Sequence, residues 1–229
     1  MGGQACVLYG AAEFSRDTDL AILAGPENLR KLQAALDELQ AVPIAVPPFE
    51  QRYLDMGLAV HFRCELEECR EMRIDVMSKM RGVDSFAALW SRRTTLTVDD
   101  QSLDLLSLPD LVQAKKTQRD KDWPMIGRLL EANYFMPREA VTADQVTFWL
   151  RELRTARLLI DVASDYASQA QAIVNQRPAL QFALPPAADE DALRRALKNE
   201  EEQQREADRQ YWLPLRAELE RLRRAARQG

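Results

Sequence analysis

The patterning of this chain changes along its length. Strand and helix signals alternate through about the first 105 residues, and from about residue 138 strand formers thin out and helical periodicity takes over. That order points to an α+β head, residues 1–137, followed by a helical region, residues 138–229, built as an α-helical hairpin. In the head, Asp17-Thr-Asp-Leu-Ala-Ile-Leu23 is short and apolar enough for a buried strand, and Leu29, Leu32, Leu36 and Leu39 put a helix over 26–40, with Pro26 in its first turn. Ala59–Glu65 and Met72–Ser78 read as the arms of a hairpin turned by Leu66–Glu71. A short strand over Leu103–Leu106 precedes Ser107, a cap for a helix over about 108–120, and Pro124 starts a second helix from about 123 to 133. In the tail the spacing predicts one long helix over about 142–174 and another over about 189–227, separated by Pro178, Pro185 and Pro186.

Composition removes several function classes. With 31 basic against 36 acidic residues the formal charge is -5, so no overall positive field draws the chain to nucleic acid. Cys6, Cys64 and Cys69 lack paired zinc spacing, and the single His61 offers no second imidazole. The cysteines read as reduced thiols, and His61 as a packing or surface residue of its strand. Neither a run of roughly 18 apolar residues nor a basic, then apolar leader is present, so the expectation is a cytoplasmic protein without membrane contact. The Arg-rich end, Arg221 to Arg227, reads as a solvated helix face.

The chemistry lies in the acids. Alternation along a strand turns Asp17 and Asp19 to one side. Two carboxylates about 4 Å apart repel by roughly 4 kcal/mol at an effective dielectric near 20, and a divalent cation relieves that conflict. Hard oxygen ligands suit Mg²⁺ or Mn²⁺. Asp75 sits in the middle of a second apolar strand, where an acid is out of place unless it joins the first pair. Upstream, Gly2-Gly3 stands where paired glycines would let a phosphate approach backbone N–H groups. Ser15-Arg16 either helps orient nucleotide phosphates or, in Arg16, neutralises Asp17.

A glycine pair, then acid-x-acid, then a third acid on a later strand resembles the DNA polymerase β-like nucleotidyltransferase superfamily, with Gly2, Gly3, Asp17, Asp19 and Asp75 matching in order. The segment from Leu108 to Trp123 looks like the helix and Lys-Asp element of its bacterial members, among them abortive-infection toxins. The resemblance covers about residues 2–133 and implies a nucleotidyltransferase-like mixed sheet with flanking helices. It implies Mg²⁺ or Mn²⁺ on Asp17, Asp19 and Asp75, with Asp75 as general base or as ligand of the metal that activates the acceptor. Lys115 or Lys116 would bind the triphosphate, Arg119 would lie one turn on, and Asp122 would be a supporting acid. Read from the residues alone, the two lysines are equally a solvated helix face, and Asp122 is equally the cap of the helix that Pro124 begins.

The implied reaction transfers NMP from an NTP to a hydroxyl acceptor, which could be tRNA, protein or a small molecule, and releases pyrophosphate. The alternative is a catalytically silent binding module of the same fold, for example in a toxin–antitoxin pair with a small protein partner. The family carries an apolar strand immediately before its glycine pair, whereas only Met1 precedes Gly2 here. The expectation is either an upstream start that supplies this strand or a phosphate loop built without it.

Overall fold

A computed structural model describes residues 1–228. The chain divides into two compact units, the first made of residues 1–8, 12–115 and 208 onward, the second of 9–11 and 116–207. This division departs from a single cut near 137. The first unit ends at Lys115, and the end of the chain returns to it.

The first unit is mixed α and β. In chain order it holds α1 (Gly2–Leu8), β1 (Asp17–Ala21), α2 (Pro26–Glu38), β2 (Ala41–Pro43), α3 (Gln51–Met56), β3 (Val60–Cys64), β4 (Arg73–Met77), α4 (Phe86–Ser91), β5 (Thr94–Val98), β6 (Gln101–Leu105) and α5 (Leu108–Ala114). Four strands form a mixed sheet in the order β1-β4-β3-β2, with β1 parallel to β4 and the other pairs antiparallel. The alternation that predicts β3 and β4 sets their two faces. Val60, Phe62, Cys64, Ile74 and Val76 point into a core with Leu36 and Leu54, closed by Leu29 and Leu32 of α2 and by Leu39 just after it. A slip of one residue would bury His61 and Asp75 in their place, so the apolar set fixes the register.

β5 and β6 form a separate ribbon. The sequence reading finds β6 but passes over β5, although Thr94-Thr-Leu-Thr-Val98 is a β-branched run. It leads into Asp99 and Asp100, whose φ values of 48° and 62° make the left-handed pair of a tight hairpin turn. Ser107 caps α5 as expected, accepting from the Asp110 N–H at 3.3 Å.

The second unit holds α6 (Asp122–Phe135), α7 (Ala143–Glu152), α8 (Ala156–Asp165) and α9 (Ala167–Ile173). The continuous helix expected over 142–174 is therefore three helices, and the tail is not a two-helix hairpin. No Gly or Pro marks the break after α7. The cause lies elsewhere in the chain, in buried Arg177, whose guanidinium donates to the carbonyls of Leu150 and Leu153 at 2.9 Å each. Backbone acceptors at the end of α7 are satisfied by this side chain in place of the next helical turn.

The last helix, α10 (Glu190–Ala226), starts in the second unit and continues into the first from Asp208. There Leu215 packs with Tyr53 and Leu58, backed by Tyr211, Trp212, Leu219 and Leu222. No described helix is long and apolar enough to cross a membrane.

Candidate functional site

The polar face of the four-stranded sheet carries Asp17, Asp19 and Asp75. Because β1 and β4 pair with Asp17 opposite Arg73 and Asp19 opposite Asp75, and β3 adds His61 opposite Asp75 and Arg63 opposite Arg73, the side chains form two rows. One row runs Asp19, Asp75, His61; the next runs Asp17, Arg73, Arg63. Opposite faces of the same strands thus make the core and the site.

Asp75 is the most committed member. His61 Nδ1 lies 2.7 Å from its Oδ1, and Arg73 Nη2 lies 3.5 Å from the same oxygen. Burial pushes the Asp75 carboxyl up, but the bonds and charges of His61 and Arg73 outweigh it and hold the group below its ordinary range. An ionised carboxylate only accepts, so the proton of this contact sits on Nδ1, and in the neutral imidazole Nε2 is the nitrogen without a proton.

Asp19 is the opposite case. Its Oδ2 accepts from the Gly3 N–H at 3.2 Å. Burial pushes its carboxyl above the ordinary range; the Gly3 bond pulls it down and the Asp75 charge pushes it up again. The glycine pair is required by this approach. A Cβ on Gly2, whose φ is +65°, would fall 1.8 Å from Asp19 Oδ2, and one on Gly3 would fall 2.2 Å from Ser15 Oγ. At Gly3, then, the backbone N–H read from sequence as a phosphate contact holds a carboxylate. Ser15 Oγ in turn donates to the Asp17 carbonyl at 3.0 Å, fixing the entry to β1.

Asp17 stands apart from the other two acids, with Arg73 Nε 4.0 Å from its Oδ1. Among the described residues no group of three or more His, Cys, Asp or Glu side chains is placed to hold a metal ion. A narrower set fits. Asp19 and Asp75 are direct cross-strand neighbours, and Mg²⁺ typically takes one or two protein carboxylates and completes its shell with phosphate oxygens and water. The desolvated Asp19 carboxyl beside a second carboxylate is the kind of group that a cation stabilises.

The other expected residues separate. Lys115, at the end of α5, contributes a favourable charge at Asp19. Arg16 is exposed. Lys116 belongs to the second unit, where its Nζ reaches Glu152 Oε2 at 2.8 Å. Asp122, 3% exposed, accepts at Oδ2 from Thr117 Oγ1 at 2.6 Å and from Arg119 Nε at 2.7 Å. Those bonds clasp the turn that leads into α6, which makes Arg119 and Asp122 a local brace.

Sequence reasoning passed over Arg63 and Arg73 and read His61, the third further member of the face, as a packing or surface residue. The available signal was the hairpin itself. Pairing β3 with β4 across a short turn sets the chain's single histidine near the middle acid of the next strand. No family model matches the chain, and comparisons with curated proteins and with solved structures find no match.

Proposed function

We propose that this protein is a metal-dependent nucleotidyltransferase that moves NMP from an NTP to a hydroxyl acceptor. The observation that supports it is the direct pairing of Asp19 with Asp75 on the polar face of a sheet whose other face is core. A divalent cation held by Asp19 and Asp75 would neutralise the triphosphate and polarise the attacked phosphorus.

In this reading the chain's residues divide the work. Gly2 and Gly3 let the backbone come close enough to fix Asp19, and Lys115 offers its charge to the phosphates. Asp75, held as a carboxylate, is a weak base; it orients His61, whose Nε2 accepts the proton of the acceptor hydroxyl. The acceptor oxygen bonds to the α-phosphorus, the bond to the bridging oxygen breaks, and pyrophosphate leaves.

Incubation of the full chain with Mg²⁺, labelled NTPs and total RNA, protein or small hydroxyl compounds tests this reading. Loss of a group that only supports a metal ligand costs about 10–100-fold, so Asp19→Asn, which alters a ligand itself, is expected to lower transfer by about 100-fold or more. Equal labelling by both proteins overturns the proposal. A second reading, a silent binding module of the same fold, is favoured by the commitment of Asp75 to His61 and Arg73 and of Asp17 to Arg73. It predicts NTP binding that calorimetry finds indifferent to Mg²⁺, without pyrophosphate release.

A further inference from the structure

Beyond the carboxylates, β1 leads into a pocket of about 100 Å³ in the first unit, lined in part by Leu20, Ala21, Phe86, Trp90, Arg93 and Asp104. Ala21 follows Asp19 by two residues, so it shares the face of the acids and lies about 7 Å further along the strand. Small-molecule sites for whole ligands run to roughly 300–1,000 Å³. This pocket has room for a single ring system, the remainder of the ligand lying outside it.

One side of it carries planar groups, while aliphatic side chains such as Leu20, Leu89 and Leu105 line the rest. The rings of Phe86 and Trp90 are stacked, 5.7 Å between centroids and 20° apart, and the Arg93 guanidinium lies 4.1 Å from the Trp90 centroid. Trp90 is nevertheless 46% exposed, unusual for the largest apolar side chain of a short helix. Flat surfaces of this kind, aromatic rings and guanidinium planes, are where unpaired bases stack.

Beside the stack stands an oriented acceptor. Asp104 Oδ1 takes two donors, Thr95 Oγ1 at 2.6 Å and Arg93 Nε at 2.9 Å, while Oδ2 accepts from no donor among the described residues. The hydrogen bonds from Thr95 and Arg93 also hold the carboxyl below its ordinary range. It is thus a fixed anion with an open lone pair, suited to an exocyclic amine.

We infer that this pocket receives the base of the nucleotide, an adenine whose ring packs against the exposed part of Trp90 and whose amine donates to Asp104 Oδ2. The triphosphate would then run back along β1 toward Asp19. The identity of the ligand rests on the nucleotidyl-transfer reading, but the pocket can be tested apart from it, because adenosine has no phosphate to engage the carboxylate face.

Calorimetry of the full chain with adenosine, ATP and purine riboside triphosphate, which lacks only the amine, provides the measurement. Trp90→Ala is expected to weaken adenosine and ATP at least about fivefold, the low end for loss of one base stack. Asp104→Asn, which turns a donor toward the base, is expected to abolish the preference of wild type for ATP over purine riboside triphosphate. Thermal melting confirms that both exposed-site variants are folded. Absence of adenosine binding to wild type, or equal adenosine affinity in wild type and Trp90→Ala, overturns the pocket, and continued NMP transfer from ATP then leaves the reaction standing. Adenosine binding that depends on Trp90, with no transfer, keeps the pocket and overturns the reaction.

Discussion

Two charged clusters in this protein are built on contrary principles. In the first unit Asp19 faces Asp75, like charge against like, and burial pushes Asp19 toward its neutral form. In the second, Glu200 accepts from Arg177 Nε at 3.1 Å and from Arg154 Nη1 at 2.7 Å, and both guanidinium groups also donate to backbone carbonyls. Each charged group in that cluster meets an opposite charge or an acceptor, although burial and the neighbouring Arg177 charge still push Arg154 below its ordinary range. The difference separates a cluster held together by opposite charges from one in which burial and a neighbouring carboxylate both oppose the ionisation of Asp19.

Removing Glu200 should break the comparison most sharply. Glu200→Ala leaves two partly buried cations facing each other, and urea denaturation is expected to show a loss of about 3–5 kcal/mol. Asp19→Asn removes a carboxylate that burial and Asp75 both oppose, so its stability should match or exceed that of wild type. A loss for Asp19→Asn comparable to that for Glu200→Ala would erase the distinction. The pH dependence carries a defined sign. Burial pushes Glu200 up, but Arg177 and Arg154 outweigh it, so the folded-state carboxyl is depressed below its ordinary 4.5. A depressed acid stabilises the fold above its unfolded value, and that contribution is lost as pH falls through the folded value. The stability gap between wild type and Glu200→Ala should therefore be full at neutral pH and narrow below about 4.5.

The next effect concerns the glycines. Gly3→Ala puts a Cβ against Ser15 Oγ and Cβ, which lie 2.2 Å and 2.9 Å from its position, and overpacking of this kind costs about 1–3 kcal/mol. Ser15→Gly removes both clashing atoms. A double-mutant cycle read by thermal melting should show the pair coupled, the double variant being more stable than the sum of the single changes predicts. Additive losses would mean that Gly3 is not held by close approach.

These clusters also show what could be read before folding. The Asp19–Asp75 face was legible because strand alternation and a short hairpin are local rules, carried by Leu20, Ile74, Val76 and Phe62 as plainly as by the acids. The break after α7 was not, since nothing within residues 150–156 interrupts a helix. Its cause, Arg177, is far along the chain and acts through a buried guanidinium. β5 was lost for a smaller reason: its partner lies across two aspartates in the left-handed region, a turn that Asn-Gly signals more plainly than Asp-Asp. At α5 the cap was visible in Ser107, but the helix ends at Ala114 and not near 120, and nothing in the sequence marks that end.

The finest distinction falls between two adjacent lysines. From sequence Lys115 and Lys116 are interchangeable candidates for the triphosphate, and a single residue separates their surroundings completely. Lys115 adds a favourable charge at Asp19, whereas Lys116 pairs with Glu152 at 2.8 Å with both side chains mostly covered. A charge-assisted bond to phosphate is worth about 1.5 kcal/mol or more, so under the nucleotidyl-transfer reading Lys115→Ala should raise the KM for NTP about tenfold. Lys116→Ala should leave KM as it is and lower stability by about 1 kcal/mol or less, the range of a partly solvated ion pair. If the two effects exchange places, the phosphates run along the second unit, and the alignment of base pocket, Asp19 and Lys115 falls with that result.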